Sequence, residues 1–392
     1  MKKIATLALL ALSLGACSDA DAPTAATPQA PAAARAPAET GRWIVVFRSD
    51  VRDPDALARS LAAAHGSRPD FVYRAALKGF AAVLPEAAAE ALRRNPNVAS
   101  VDRETVGRLL ATQTVPSGAW GLDRVDQVNL PLSGTYTYTS TASTVRAYVI
   151  DTGIQANHPQ FGTRAISAYD ATGGNGADCH GHGTHVAGIV GASTHGVAKG
   201  VLLRSVRVNQ GCTDVVTEAA LLGGIDWVTA NHVKPAVANI SIGFAKNARI
   251  DAAVKSLSDA GVYVAIAAGN SREDACNVSP AGGTVGTTVG ATRRDDNIWV
   301  ASTVDGTNVG SCLDVFAPGQ DVQSTWIGSA LLTVSGTSMA APHVAGAGAL
   351  YKATYGDQTS TTVENWIVNN AQAKVVNAPA GTTNRLLYKG TL

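Results

Sequence analysis

Three short segments carry side chains whose types and spacing could do chemistry. The segment "YVIDTGIQANHP" (148–159) places Asp151 behind an apolar run, "DCHGHGTHVAG" (178–188) holds three histidines and a cysteine, and "SGTSMAAPHVAGAGAL" (335–350) holds Ser338. A carboxylate, an imidazole and a hydroxyl are parts of several hydrolytic mechanisms and of some metal sites. Considered alone, the polar residues of each segment could be structural. Considered together, they could form one reactive site.

The Asp-Thr-Gly triplet at Asp151 raises the alternative of an aspartic protease, in which two carboxylates share one proton. The chain has a single copy of this triplet. A homodimer could supply the second carboxylate, but that solution belongs to small all-β proteins, whereas strands and helices alternate here. Asp151 is therefore either a turn residue or a carboxylate that orients another group.

The histidine-rich segment allows three interpretations. His182 and His185 with the cysteine suggest a metal site, but the zincin spacing with an intervening Glu is missing. The histidines could instead be solvated or simply hydrogen-bonded. One could also be a general base at a helix start, with Gly183 allowing close approach of a substrate.

Ser338 is predicted to stand where a helix begins, which alone favours a role as N-cap. Pro342 is expected in the first turn of that helix, where proline is tolerated. Considered together, however, Asp151, His182 and Ser338 form a set of orienting acid, base and nucleophile. Asn270, at the end of "AIAAGN", could hold a developing oxyanion together with the Ser338 N–H.

The elements around these residues predict an α/β fold. From Trp120 onward, apolar strands such as "RAYVIDTG", "VANISIGF" and "VYVAIAAGN" alternate with helical stretches. This pattern is typical of a doubly wound, mostly parallel sheet, whose chemistry gathers at the carboxyl ends of the strands. Asp151 and Asn270 are each expected to close a strand there.

The N-terminal region reads as an export signal, a tether and a small domain. Residues 1–17 have a charged start and an apolar stretch ending in "LGAC", so Cys17 is predicted to be lipidated; an ordinary cleaved signal peptide is the alternative. Residues 18–41 are rich in Ala and Pro and predict a flexible tether. Residues 42–110 carry a β-α-β-β-α-β pattern that indicates a small α+β ferredoxin-like unit.

The charge balance bears on the possible partners, and the cysteine content bears on disulfides. Lys and Arg total 31 against 30 Asp and Glu, so no strong field favours nucleic acid. If Cys17 is lipidated, four cysteines remain in an exported protein, which makes disulfides the default. Spacing alone leaves all three pairings open.

Four motifs in order resemble those of the subtilisin-like serine proteases: "VIDTGI", "HGHGTHVAG", "AAGN" and "SGTSMAAPHVAG". The flanks "WGLDRVDQ", "DACNVSPA" and "SCLDVFAPG" are similar to the proteinase K and aqualysin branch. The resemblance runs from about residue 42 to the end. It implies a self-processed zymogen, with an inhibitor-like propeptide at 42–110 and a serine endopeptidase domain at 111–392. It makes His182 the catalytic histidine and His185 structural.

The resemblance also implies features of maturation and stability. It places propeptide cleavage between Leu110 and Ala111, with Leu110 in the specificity pocket and hence tolerance for apolar side chains. It pairs Cys179 with Cys212 and Cys276 with Cys312. It implies structural Ca²⁺, with no cofactor for catalysis, at two sets of oxygen ligands: Asp314, Thr284 and Gly286, and then Asp123, Asp126 and Gln127. A cap, turn or surface role is the alternative for each Asp.

Substrate binding follows the family's pattern only in part. In the family the substrate lies as an added strand against two segments, one of which is matched here by Ser241, Ile242 and Gly243. Phe244 stands where a second Gly is usual, and its bulk is expected to crowd the pocket wall. Residues 214–216 read Asp-Val-Val in place of Gly-x-Gly. The stretch 293–310 is also longer than in near relatives.

The sequence thus predicts a monomeric serine endopeptidase that is either secreted or anchored to the cell envelope as a lipoprotein. Its expected partners are protein substrates and its own propeptide, which would template folding and inhibit the enzyme. A catalytically silent homologue and a metal-dependent hydrolase are the competing hypotheses. An intact triad argues against the first, and a disulfide at Cys179 would exclude that sulfur as a metal ligand.

Overall fold

The computed structural model describes residues 40–74, 77–104 and 111–392, without the side chains of Ala111 and Thr112. These residues form two compact units, one ending before residue 105 and one from residue 111 onward. The expected signal peptide, the lipidation site Cys17, nearly all of the tether and Leu110 lie outside the described residues.

The first unit has the predicted order of elements. They are β1 (Thr40–Phe47), α1 (Pro54–Ala64), β2 (Phe71–Tyr73), β3 (Gly79–Pro85), α2 (Glu86–Arg93) and β4 (Val98–Arg103). The four strands form one antiparallel sheet in the order β2-β3-β1-β4. Helix α1 begins as its sequence indicates, because the Asp53 carboxylate accepts a hydrogen bond from the Ala56 N–H. The ferredoxin-like prediction is confirmed.

The second unit contains the remaining strands and helices. In chain order they are β5 (Ala111–Thr114), α3 (Trp120–Asp126), β6 (Thr135–Tyr138), β7 (Arg146–Asp151), β8 (Ala165–Asp170), α4 (His182–Gly191), β9 (Leu202–Arg207), α5 (Glu218–Asn231), β10 (Ala236–Ile240), β11 (Phe244–Ala245), α6 (Ala248–Asp259), β12 (Tyr263–Ala267), β13 (Val278–Ser279), β14 (Thr287–Thr292), β15 (Val315–Pro318), β16 (Val322–Trp326), β17 (Ala330–Val334), α7 (Thr337–Tyr355), α8 (Ser360–Asn370), β18 (Gln372–Ala373) and β19 (Arg385–Leu386).

The central sheet of this unit is mostly parallel, as predicted. Its order is β18-β19-β15-β14-β12-β10-β7-β9-β8, and only the β18–β19 pair at one end is antiparallel. The interior of strand β7, residues 147–150, is apolar because it is covered on both faces. Ala147 and Val149 pack into one core, and Tyr148 and Ile150 pack into the other.

Helices cover both faces of this sheet, so the fold is doubly wound. Side chains of α4 and α7 fill one core, and side chains of α5 and α6 fill the other. The small residues of α7 allow very close packing. A Cβ on Gly346 would lie 2.6 Å from the Cβ of Val197, and one on Gly348 would clash with the Tyr263 ring. Within the described ranges, no helix is long and apolar enough to cross a membrane.

Candidate active site

The carboxyl edge of the central sheet carries the first two candidate residues. Asp151 is the last residue of β7, as predicted. Asn270 does not close its strand, because β12 ends at Ala267 and the chain then turns through Gly269, whose φ is +102°. The left-handed conformation of Gly269 costs little without a Cβ and carries Asn270 beyond the sheet edge.

Asp151 and His182 are hydrogen-bonded to each other. His182 Nδ1 lies 2.7 Å from Asp151 Oδ1, which also accepts a bond from the Thr152 N–H at 2.7 Å. Asp151 is buried, whereas the His182 side chain is one-quarter exposed. Burial lowers the pKa of His182, but the charge of Asp151 and its hydrogen bond outweigh burial and raise that pKa above 6.5.

A second buried carboxylate, Asp178, fixes the approach of α4 to the sheet. Its oxygens accept hydrogen bonds from the Thr152 hydroxyl, from the backbone N–H groups of residues 180, 181 and 184, and from the Thr184 hydroxyl. The sequence analysis missed Asp178, although its position four residues before His182 in "DCHGHGTH" is the pattern of a carboxylate at a helix start.

Glycine is needed at position 183 for the packing of α4 against the end of β7. A Cβ there would clash with the Gly153 carbonyl oxygen and would lie 3.1 Å from Asp151 Oδ1. The small residue therefore lets the helix approach the end of β7, which brings His182 to Asp151. The predicted role in admitting a substrate stays a prediction beside this packing role.

The other side chains of the histidine-rich segment do not form a metal site. Cys179 is joined to Cys212 in a disulfide, so its sulfur is not available as a ligand. His185 is fully buried and hydrogen-bonded to the Leu332 carbonyl, and burial lowers its pKa to about 4. Across the ranges 40–74, 77–104 and 111–392, no group of three His, Cys, Asp or Glu residues could hold a metal ion.

Ser338 is the second residue of α7 and not its cap. The N-cap is Gly336, with φ +149° and no capping side chain. Glycine suits this position because residues with a Cβ rarely adopt a φ of +149°. The interpretation of Ser338 as an N-cap is wrong, because its hydroxyl does not cap the helix.

Pro342 is the sixth residue of α7 and therefore lies beyond the first turn, contrary to the prediction. A proline has no N–H, so the carbonyl of Ser338, four residues earlier, loses its helical partner. The Ser241 hydroxyl donates to this carbonyl at 3.1 Å instead. The proline therefore leaves a backbone carbonyl of α7 free to accept this bond, which connects the helix to the segment that follows β10.

The Asn270 side chain is oriented by Thr337. Asn270 Oδ1 accepts hydrogen bonds from the Thr337 N–H at 2.9 Å and from its hydroxyl at 2.8 Å. Thr337 Oγ1 also accepts a bond from the Gly269 N–H at 3.1 Å. With the oxygen engaged, the amide N–H groups of Asn270 are the free end of the side chain. The sequence analysis missed Thr337, although it directly precedes Ser338 in "SGTS".

Two adjoining pockets form a cleft along these residues. The first encloses about 490 Å³ and is lined by Ser338, Thr337 and Asn270, and the second encloses about 610 Å³ and is lined by Asp151 and His182. Asn270 and residues 241–244 line both pockets. In the described part of the chain the Ser338 hydroxyl makes no hydrogen bond to His182. Such contacts often tighten only when a substrate binds.

The residues predicted to bind substrate all line this cleft. Ser241, Ile242 and Gly243 follow β10 and reach both pockets, and Phe244 also lines both. Asp214, Val215 and Val216 line the second pocket. The substrate segments named from the sequence are therefore brought together in the structure.

Two disulfides brace the cleft, with the pairing that the resemblance implied. Cys179 and Cys212 join the segment before His182 to the segment before Asp214. Cys276 and Cys312 hold the loop that follows Asn270. Each bridge therefore constrains a loop that contributes side chains to one of the two pockets.

Asp314, from the first predicted calcium set, lies near a second carboxylate, that of Glu364. Asp314 is partly buried, and burial raises its pKa to about 6 although Oδ2 accepts a bond from the Thr288 N–H. Burial and the charge of Asp314 raise the pKa of Glu364 to about 7, and the Gly286 backbone opposes this shift. Two neighbouring carboxylates beside the Gly286 backbone are hard oxygen ligands of the kind that Ca²⁺ prefers. The sequence analysis did not identify Glu364.

The second predicted calcium set mainly stabilises a loop. The Asp123 carboxylate accepts bonds from the Ser133 N–H and hydroxyl at 3.0 and 2.9 Å and from the Gly134 N–H at 2.5 Å. Gln127 Oε1 also accepts from the Ser133 N–H. Asp126 accepts from the Thr137 N–H, and burial raises its pKa to about 6. These are the contacts expected of turn-anchoring side chains, which was the alternative for this set.

The fold and the geometry of the cleft agree with the relationships of the chain to known proteins. The model of the subtilase family matches residues 144–386, and that of peptidase inhibitor I9 matches residues 36–110. The chain belongs to the subtilase family and is a subtilisin-like serine protease with an I9-type propeptide.

Individual relatives resemble the chain over most of its length. It is 44% identical to the extracellular serine proteinase of Thermus sp. (strain Rt41A), with 96% of each chain covered. It is 40% identical to proteinase R of Parengyodontium album, with 82% of each covered. The crystal structure of a cold-adapted subtilisin-like serine proteinase matches with a TM-score of 0.66 and 44% identity, covering 71% of this chain and 99% of that one.

Proposed function

We propose that the chain is an endopeptidase in which Ser338 is the nucleophile, His182 the general base and Asp151 the acid that orients it. The observation that carries this proposal is the 2.7 Å contact between His182 Nδ1 and Asp151 Oδ1, beside a cleft that Ser338 and Asn270 also line. A serine protease needs this order of groups, because the hydroxyl is a weak nucleophile until a base removes its proton.

In this proposal, acylation uses these groups in turn. Ser338 Oγ attacks the scissile carbonyl carbon, and its proton passes to Nε2 of His182, which is the unprotonated nitrogen because Nδ1 donates to Asp151. The C–N bond then breaks as the imidazolium gives this proton to the leaving amine. Water attacks the resulting ester in the same way, which releases the acid and restores Ser338.

The developing negative charge on the carbonyl oxygen is held by two donors. One is the Ser338 backbone N–H, which lies in the first turn of α7, where N–H groups have no acceptor within the helix. The other is the Asn270 amide, which Thr337 holds in a fixed orientation. Because both donors are in place before the reaction, they stabilise the transition state without a cost of reorganisation.

The substrate binds as an extended strand along Ser241, Ile242 and Gly243. These residues follow β10 directly and line both pockets, so a strand laid beside them passes the nucleophile and reaches the second pocket. This arrangement supports cleavage within a protein chain and makes protein substrates the partners of the cleft.

The enzyme is made as a zymogen that cleaves itself between Leu110 and Ala111. The match to peptidase inhibitor I9 ends at residue 110, which supports this boundary. The name of the Thermus relative, an extracellular proteinase, supports export of this chain. A lipid on Cys17 would anchor only the precursor, since cleavage after Leu110 releases a monomeric peptidase domain.

Asp314, with backbone carbonyls at Thr284 and Gly286, would hold a structural Ca²⁺. It would neutralise the partly buried carboxylates near strands β14 and β15 and so stabilise that edge of the fold. The second set, at Asp123, Asp126 and Gln127, is a weaker candidate because most of these side-chain oxygens already accept hydrogen bonds.

The test compares wild type, Ser338→Ala and the matched control Ser271→Ala, a second serine that lines the first pocket. We expect wild type and the control to be trimmed to a species beginning at Ala111 and to react with a fluorophosphonate probe. Ser338→Ala should keep its propeptide and remain unlabelled. Intact mass spectrometry reads both results, and trimming of all three proteins alike would refute self-processing.

A further inference from the structure

The first pocket receives the side chain of the substrate residue that supplies the scissile carbonyl, here called the P1 residue. Its lining includes both proposed oxyanion donors, Ser338 and Asn270. The P1 side chain branches one atom from the carbonyl carbon that these groups hold, so the pocket beside them is the one it enters. The lining of this pocket also includes three apolar side chains, those of Phe244, Ala245 and Val278.

Glu273 is one of the residues that line this pocket. Among the described lining residues, it is the only acidic or basic one. Glu273 is an exposed acidic side chain. Neither ion pairs nor side-chain hydrogen bonds engage it within the described ranges, and the neighbouring Arg272 guanidinium donates instead to the carbonyls of Ser302 and Thr303.

The backbone that carries Glu273 is fixed in place. Asn308, which is fully buried, accepts hydrogen bonds through Oδ1 from the N–H groups of Ser271 and Glu273 at 2.9 and 3.2 Å. Its amide nitrogen donates to the Ala268 carbonyl at 2.9 Å. The Glu273 carbonyl accepts a bond from the Val309 N–H at 3.0 Å. The carboxylate is thus attached to a held loop that also carries Asn270.

We propose that Glu273 determines the charge preference of this pocket, favouring Lys or Arg at P1 and disfavouring Asp or Glu. The inference rests on the proposed function and adds a residue to its substrate recognition. The methylene stem of Lys or Arg would lie along the apolar walls while its charged end reaches the Glu273 carboxylate. An uncharged apolar P1 side chain, such as that of Leu110, still uses those walls and gains nothing from the charge.

The expected size follows from Coulomb attraction in a solvated site. Unit charges about 6 Å apart, screened by an effective dielectric constant between those of a protein surface and water, change kcat/KM by about three- to tenfold. Attraction for a cation and repulsion of an anion act in opposite directions. The ratio of kcat/KM for a Lys substrate to that for a Glu substrate should therefore carry about a tenfold contribution from Glu273 or more.

The experiment uses the mature enzyme and three peptides that differ only at P1, with Lys, norleucine or Glu. We expect Glu273→Gln to lower the Lys-to-Glu ratio about tenfold while norleucine cleavage changes less than twofold. The matched control is Asp226→Asn, which removes the same charge from an exposed position on α5 and should keep the wild-type ratio. Salt at 1 M should shrink the ratio of wild type but not that of Glu273→Gln.

An unchanged ratio in Glu273→Gln would overturn the inference and leave the proposed function intact, provided that wild type cleaves the norleucine peptide and Ser338→Ala does not. If neither wild type nor Ser338→Ala cleaves that peptide, the proposed function fails and the inference fails with it. A fall of the ratio in Asp226→Asn as large as in Glu273→Gln would also overturn it, because the effect would then come from net charge.

Discussion

Replacing Thr337 by valine tests whether the oxyanion donor is oriented by its neighbour. Valine keeps the shape of threonine but removes the hydroxyl that donates to Asn270 Oδ1 at 2.8 Å and accepts from the Gly269 N–H at 3.1 Å. Asn270 then keeps a single anchor, the Thr337 N–H at 2.9 Å. Its amide can rotate, so fewer molecules present an N–H to the oxyanion.

The expected fall in kcat for Thr337→Val follows from the loss of one neutral hydrogen bond that orients the Asn270 amide. Such a bond contributes about 1 kcal/mol net, which corresponds to about a fivefold fall in kcat. KM should change little, because the bond strengthens an interaction made in the transition state. Asn270→Ala should cost about a hundred- to a thousand-fold, the known magnitude for removing this donor in a member of this enzyme family.

The assay is a double-mutant cycle on kcat for a peptide substrate, with thermal unfolding of each variant as a control for folding. Once Asn270 is replaced by alanine, Thr337→Val should cost less than twofold more, because the group it orients is gone. If the fivefold loss persists in the Asn270→Ala background, Thr337 does not act through Asn270, and the reasoning from its hydrogen bonds is wrong.

Further predictions concern pH and metal. Because the pKa of His182 is raised above 6.5, kcat/KM should fall as the pH drops through a midpoint above that value. Asp151→Asn should move this midpoint to lower pH and lower kcat about ten-thousand-fold. Chelation of Ca²⁺ should lower the Tm of wild type by about 5 °C and that of Asp314→Asn by much less. His185 and His343 are buried, with pKa values of about 4 in the folded protein against 6.5 in the unfolded chain. Each should therefore lower the free energy of unfolding by about 3 kcal/mol as the pH falls from 6.5 to 4.

Each of these predictions has a result that contradicts it. An acid midpoint that Asp151→Asn leaves unmoved would mean that the carboxylate does not set the pKa of His182. Equal losses of Tm on chelation in wild type and Asp314→Asn would place the metal elsewhere. The sign for the buried histidines follows because the unfolded chain binds protons below pH 6.5 while the folded protein does not, so a flat stability profile from pH 6.5 to 4 would refute their burial as neutral groups.

Local pattern was enough to predict the parallel sheet and the residues at its edge. Continuous apolar runs alternating with helical stretches predict strands covered on both faces, and polar residues after such runs fall at the carboxyl edge. Asp151 closes β7 for this reason. The disulfide pairing was not within reach of spacing alone and came from the resemblance to a family.

Contacts between residues far apart in the chain were decided only by the tertiary structure. Thr337 meets Asn270 across 67 positions and Ser241 meets Ser338 across 97, and no periodicity relates such residues. The packing role of Gly183 was not predicted, because a glycine indicates close approach without showing which group approaches, here the Gly153 carbonyl. The sequence determined which side chains could react; packing determined which atoms hold them in position, because hydrogen-bond partners depend on distances that only the folded chain sets.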